Sequence, residues 1–263
     1  MIKNKSILSA SNLSVGYLSK QAETTIVSDI SISFNKGELI GVIGVNGSGK
    51  STLLRTLSGL QPPLKGDIYL DNTALQHKNP KEIAKAISLV LTDQPISKNL
   101  TVKELIALGR QPYTNWIGKL SNEDKAAIKK AMQLVGIEEL ADKFCYELSD
   151  GQLQNVLIAR ALAQDTKLII LDEPTSHLDM YHKAYVLQLL SKLAKTTGTC
   201  IVFATHEINL ALPLCDKLLL VKDGKVSFET PEYHITNKHL NTLFPEDLIS
   251  FNETSKQFII NSN

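Results

Sequence analysis

Residues 44–51 read Gly-Val-Asn-Gly-Ser-Gly-Lys-Ser, the pattern G-x-x-x-x-G-K-[ST]. A loop of this kind needs a strand before it and a helix after it. Both are present. Glu38-Leu39-Ile40-Gly41-Val42-Ile43 is an apolar run short enough for a buried strand, and residues 50–57 put leucines on one helical face. Glycines let the backbone bend so that successive N–H groups converge on one anion, and the helix start adds positive potential. Gly44, Val45, Asn46, Gly47, Ser48, Gly49, Lys50, Ser51 and Thr52 are therefore the candidate nucleotide cradle. In it Lys50 would reach the β- and γ-phosphates, and the Ser51 hydroxyl would ligate Mg²⁺.

Around this unit the chain alternates. Residues 7–17 and 26–34 read as strands, with Ile30, Ile32 and Phe34 at period two, and predict a small antiparallel sheet beside the nucleotide core. Tyr17, at the end of the first, is either a core or strand-edge tyrosine or a flat ring for stacking on adenine. Gly59-Leu60-Gln61-Pro62-Pro63 stops the first helix; a short strand over 66–71, a brief helix over 80–87 and an apolar strand over 87–91 follow. From 95 to 165 the pattern is helical, with a capping box at Thr101 and Glu104, a start at Ser121, and a third run over 152–163. Strands then return at 168–171, 200–204 and 217–221, with a helix over 180–195, a short one ending at Leu212, and a turn at Asp223-Gly224.

This order predicts an α/β fold: a nucleotide core with a mostly parallel sheet, an antiparallel β subdomain and an inserted helical subdomain. The expected layout is a single domain over 1–263. About 1–94 and 166–230 form the core, about 95–165 the helical subdomain, and about 231–263 a short extension with a helix and a hairpin.

Net charge is +1, too little to favour nucleic acid or anionic lipid, and no nucleic-acid partner is expected. Cys145, Cys200 and Cys215 are far apart without C-x-x-C spacing, which suits buried thiols in a reducing cytoplasm. The N-terminus lacks the apolar core of a signal peptide, and no apolar run approaches the roughly 20 residues that cross a bilayer.

The strand at 168–171 ends in Asp172-Glu173-Pro174. Downstream of a phosphate loop, Asp172 would hold Mg²⁺ and Glu173 would orient or deprotonate the attacking water. His206, after the next strand, is a candidate donor to the γ-phosphate. Leu148-Ser149-Asp150-Gly151-Gln152 opens the third helix, with Ser149 as N-cap and an exposed glycine offering N–H groups to a second anion.

The order phosphate loop, Leu-Ser-Asp-Gly-Gln, Leu-Asp-Glu-Pro, Ser-His-Leu-Asp (176–179) and Thr-His (205–206) resembles the ATP-binding-cassette (ABC) ATPases. The likeness runs from Tyr17 to about Val226. The family signature is Leu-Ser-Gly-Gly-Gln, from which Asp150 departs, while Ser149, Gly151 and Gln152 are kept. The resemblance implies a head-to-tail dimer. Each of two ATPs would lie between one copy's Lys50 loop and the other's Ser149, Gly151 and Gln152, with Asp179 coupling the sites. It further implies that Tyr17 stacks on adenine, Asp172 serves Mg²⁺, Glu173 is the catalytic base and His206 contacts the γ-phosphate. The family places a glutamine ligand to Mg²⁺ ahead of the helical block. Registration from Thr101 puts Thr92 there, and Gln94 faces the same side two residues on; either fits.

Thr101–Gly109 followed by Arg110-Gln111-Pro112-Tyr113 is similar to the branch that powers uptake of iron-siderophores, haem and cobalamin. That implies an ATPase on the cytoplasmic face of the membrane, peripheral, docked to permease subunits and indirectly served by a substrate-binding protein. The alternatives are a soluble cassette ATPase acting on ribosomes, DNA or cluster assembly, and a phosphate-loop kinase. The first would bring tandem cassettes or basic arms, and the second leaves residues 148–152 without a purpose.

Overall fold

The computed structural model describes residues 6–19, 22–91, 97–245 and 247–261. Its strands are β1 (Leu8–Leu18), β2 (Glu23–Phe34), β3 (Leu39–Ile43), β4 (Lys65–Leu70), β5 (Thr73–Ala74), β6 (Ile87–Val90), β7 (Leu168–Asp172), β8 (Cys200–Ala204), β9 (Lys217–Lys222), β10 (Lys225–Glu229), β11 (Ile249–Asn252) and β12 (Gln257–Ile260). Its helices are α1 (Lys50–Leu57), α2 (Pro80–Ala84), α3 (Val102–Ala107), α4 (Asn122–Val135), α5 (Asp150–Ala163), α6 (Met180–Thr197), α7 (Ile208–Ala211) and α8 (Pro231–Thr236).

Strands β3, β7 and β8 are buried along their whole length because their residues are apolar on both faces, as central strands of a covered parallel sheet must be. They form the middle of a six-stranded sheet in the order β10–β9–β3–β8–β7–β6, parallel throughout except for the β9–β10 hairpin. Alternation divides these strands between two cores. Leu168 and Ile170 pack with Ile40, Val42 and the α1 residues Leu53, Leu54 and Leu57, beneath the antiparallel sheet β2–β1–β4–β5. Ile169 and Leu171 pack on the opposite face with α3, α4, α5 and α6. The period of two therefore leaves Asp172, at the end of β7, on the α1 side.

The sequence pattern predicts no strand directly after the Asp223-Gly224 turn. In the structure the chain continues as β10, an edge strand whose partly buried residues give little periodic signal. The turn also ties the two sheets together, since Gly224 O accepts the Ser28 N–H at 3.0 Å.

In the helical block Thr101, Ser121 and Ser149 cap α3, α4 and α5, each with a reciprocal side chain at the third helical position. Arg110 is buried there. It donates to Asp124 at 2.8 Å and to Ala163 O at 2.8 Å, and its guanidinium lies 4.0 Å from the centre of the Tyr113 ring. In the C-terminal extension His234 is fully buried, 3.3 Å from Leu218 O on β9 and 3.2 Å from His239. The β11–β12 hairpin is held to α7 by Asn209, which bonds both the N–H and the carbonyl of Phe258. All three cysteines are free and buried. No helix among the described residues is long and apolar enough to cross a membrane.

Candidate nucleotide site

The β3–α1 loop is built on glycines for a reason each contact makes plain. Gly49 adopts φ 104, and a Cβ on it would come within 2.6 Å of Ile26 Cγ2. At Gly44 a Cβ would come within 2.4 Å of Val221 O. Because Gly49 occupies the N-cap, α1 begins without a side-chain cap. Among the described helices of eight or more residues it alone does so; Ser121, Ser149 and Asp179 cap the others. Its first N–H groups thus lack the side-chain acceptor that the others have, and an anion can take that place. The Ser48 hydroxyl, also in the loop, is buried with no hydrogen-bond partner. A bound phosphate would supply the missing bond.

Lys50 is only 5% exposed and folds back over the loop, donating from Nζ to Gly44 O at 2.9 Å and Val45 O at 3.1 Å. Two bonds leave the third ammonium donor for a ligand. Burial draws its pKa below the ordinary lysine range, against the opposing pull of the Glu173 and Asp172 carboxylates. Across the loop, Ser51 Oγ donates to Asp172 Oδ1 at 3.0 Å. Burial raises the Asp172 carboxyl above the usual range; the Ser51 bond works against that rise and the charge of Glu173 adds to it.

A hydroxyl and a carboxylate side by side, next to a phosphate cradle, are the donors a hard cation takes. Among the described residues no cluster of three or more His, Cys, Asp or Glu could hold a metal with protein groups alone. The Ser51 hydroxyl and the Asp172 carboxylate, both oxygen donors, fit Mg²⁺, which takes one or two protein oxygens and keeps waters and phosphate oxygens for the rest of its shell. Thr92 and Gln94, the two candidates for a further ligand, lie outside the described residues.

Glu173 departs from the strand in the left-handed region at φ 51, its N–H held by Ala204 O at 3.2 Å. A non-glycine residue in that conformation is strained, and such strain gathers at functional positions. The turn carries its carboxylate to His206, whose Nε2 lies 2.5 Å from Glu173 Oε1. The carboxylate can only accept, so Nε2 carries the proton. Tyr17 closes the far side: its hydroxyl is 2.8 Å from Thr52 Oγ1 while the residue stays 51% exposed. Tyr17 is therefore not a core residue; it stands near the end of β1 with its ring exposed, which fits both a strand-edge tyrosine and a ring offered to a base. Together Tyr17, Asn46, Lys50, Ser51, Glu173 and His206 line a cleft of about 460 Å³, a size suited to a small-molecule ligand.

The second motif lies outside this cleft, although its Asp150 shares a smaller cavity with Asp172 and Glu173. Ser149, Gly151 and Gln152 line none of this cleft. Ser149 is exposed and accepts the Gln152 N–H, which leaves its own O–H free to donate elsewhere. Gly151, expected to be exposed, is buried: the ring of His182 covers it, and a Cβ there would come within 2.7 Å of His182 Cδ2. Its N–H, at the second position of α5, has no acceptor within the helix. Asp179 caps α6, and its bonds from the His182 backbone and ring hold its carboxyl below the usual range.

A phosphate cradle at the end of a parallel strand, an acid aligned with its hydroxyl and a carboxylate–imidazole pair beside it are the working parts of a phosphate-loop nucleotide hydrolase. Comparison with known proteins narrows that class. The ABC transporter model matches residues 27–176, and a shorter match to an AAA domain covers 145–212. An uncharacterized ABC transporter ATP-binding protein, MJ0873 of Methanocaldococcus jannaschii, is 39% identical over 98% of this chain and 88% of its own length. The petrobactin import ATP-binding protein FpuD of Bacillus anthracis is 39% identical over 84% of this chain and 82% of its own. Among solved structures, the dimeric post-hydrolysis state of the ATP-binding cassette MJ0796 bound to ADP and Pi superposes with a TM-score of 0.72 at 28% identity, covering 85% of this chain and 98% of that one. The chain belongs to the ABC transporter ATPase family.

Proposed function

We propose that two copies of this chain close head to tail on two ATPs and that hydrolysis energises uptake of an iron-siderophore, haem or cobalamin-type compound through membrane permease subunits. The supporting observation is the separation of the motifs. Tyr17, Asn46, Gly47, Lys50, Ser51, Thr52, Glu173 and His206 line one cleft, with Asp172 joined to it through Ser51, whereas Ser149, Gly151 and Gln152 stand at the start of α5 and line none of it. A second copy brings them together. The dimeric MJ0796 cassette holding ADP and Pi supports the paired form, and the petrobactin import relative supports the cargo class. The partners are then the second copy, the permease and, through it, a substrate-binding protein. The chain would sit peripherally on the cytoplasmic face of the membrane.

In this reading Tyr17 stacks on adenine and residues 44–52 wrap the phosphates, with the third Lys50 donor on the β/γ bridge. Ser51 and Asp172, with Gln94 or Thr92, hold Mg²⁺, which when bound neutralises charge on the β- and γ-phosphates. Glu173 accepts the proton of the attacking water as its oxygen bonds to the γ-phosphorus and the bond to the ADP oxygen breaks. His206, whose Nε2–H is given to Glu173, turns that same donor to the γ-phosphate when the cleft is filled, which frees the Glu173 carboxylate to act as the base. The Ser149 O–H and the Gly151 N–H of the second copy meet the same phosphate from the other side, and Asp179 joins the two sites.

The test is Glu173→Gln. It should bind ATP like the parent, lose at least about a hundredfold in turnover as expected for loss of a general base, and run as a dimer in ATP by size-exclusion chromatography. Turnover at the parent rate would exclude Glu173 as the base, and a monomer in saturating ATP would exclude the paired site.

A further inference from the structure

The first turn of α6 holds His182, a side chain that lines no part of the nucleotide cleft. Asp179 Oδ1 accepts the backbone N–H of His182 at 2.9 Å, and the His182 ring returns Nδ1 to Oδ2 of the same carboxylate at 2.8 Å. Since a carboxylate only accepts, Nδ1 carries the proton and one edge of the ring is pinned. The other edge rests on Gly151. A Cβ at that position would meet three His182 atoms, Cδ2 at 2.7 Å, Cγ at 3.2 Å and Nε2 at 3.3 Å. These are ring atoms of a tethered side chain, not the loose end of a flexible one, so the ring cannot swing aside without giving up its bond to Asp179.

The neighbouring Lys183 donates to Glu207 Oε1 at 2.5 Å, one residue beyond His206. One helical turn thus touches the start of α5 on one side and the His206 loop on the other.

We propose that His182 is a positioning residue that locks the start of α6 to the start of α5, so that Asp179 and the Ser149–Gly151–Gln152 helix end meet the second copy as one rigid face. The proposal rests on the two-copy reading. A hydrogen bond at one edge and van der Waals contact at the other define the ring's place without any ligand, which is the preorganisation a composite site needs. It also assigns Gly151 a second duty. Besides offering its N–H, it leaves room for a ring of its own chain.

The experiment is a double-mutant cycle on the full chain with two readouts. In thermal unfolding, Gly151→Ala should lower Tm by about 3 °C or more through overpacking against the tethered ring. The same substitution in a His182→Ala background should cost nothing measurable. Strictly additive shifts would overturn the contact. In function, His182→Ala should leave binding of a fluorescent ATP analogue to the single subunit unchanged. It should lower kcat about tenfold, as a loosely placed catalytic group does, and weaken ATP-driven pairing of the Glu173→Gln chain to a similar degree. His182→Asn, whose amide can replace Nδ1–H toward Asp179, should restore part of that loss. Parent-level kcat and pairing in His182→Ala would overturn the positioning role even if the contact is real. Should the Glu173→Gln chain itself stay monomeric in ATP, the two-copy reading fails and the rigid-face proposal fails with it, while the thermal cycle still decides the contact independently.

Discussion

Tyr17 presents its ring beside the phosphate loop while its hydroxyl is tethered to Thr52, the third residue of α1. The tether fixes the ring without burying it, which suits a platform for a flat base. Tyr17→Ala should weaken binding of a fluorescent ATP analogue about tenfold, the usual worth of a base–aromatic contact; Tyr17→Phe, which keeps the ring, should cost less than about 1 kcal/mol. Sequence alone left this residue between two readings, because a contact spanning 35 positions has no local signature. Lys50 and Ser51 were legible since their pattern is short and its strand–helix context lies next to it. Glu173 was legible as an acid, but not in its left-handed backbone, which the Ala204 carbonyl on the adjacent strand helps to impose. Gly151 was read as exposed for the same reason: the ring that covers it arrives from another helix.

At the scale of elements, helix starts were the most readable feature. Thr101, Ser121 and Ser149 announce α3, α4 and α5 by a local exchange of hydrogen bonds that needs nothing distant. How those helices are held together was not readable. The Arg110–Asp124 pair joins the turn after α3 to the first turn of α4, both side chains being 8% exposed or less, and Arg110 reaches on to the end of α5. Arg110→Met should destabilise the fold by about 3 kcal/mol, since a buried carboxylate is left without its counter-charge; urea unfolding measures this. In the extension, burial holds the His234 pKa below its ordinary value, with His239 pushing the same way and the Leu218 carbonyl and Glu229 opposing. The unfolded chain, titrating near pH 6.5, then binds the proton that the folded one refuses. Stability should fall as pH drops below about 6.5 toward the lowered folded value. His234→Gln should flatten the fall in Tm between pH 7.5 and 5.5; an unchanged slope would remove His234 as its source.

For the whole molecule, the α/β architecture was legible from three unbroken apolar runs, whose burial on both faces demands a covered parallel sheet. The spatial order β9–β3–β8–β7–β6 was not, because it depends on which crossovers pack together. A composite site makes a prediction that no single copy can show. Mixing a Lys50→Ala chain with a Ser149→Arg chain places both defects in one site and leaves the other intact. The mixture should therefore regain activity that neither chain has alone, read as ATP turnover against mixing ratio; a flat line would place Lys50 and Ser149 on the same copy's nucleotide. The buried cysteines make the geometry of such a pair accessible to chemistry. Cys145, Cys200 and Cys215 are shut away, and burial lifts each thiol above its ordinary pKa, so thiolate is scarce at all three. A single cysteine introduced on the surface would then be the one reactive handle on the folded chain, open to probes or to a tether between copies without first stripping out the native three.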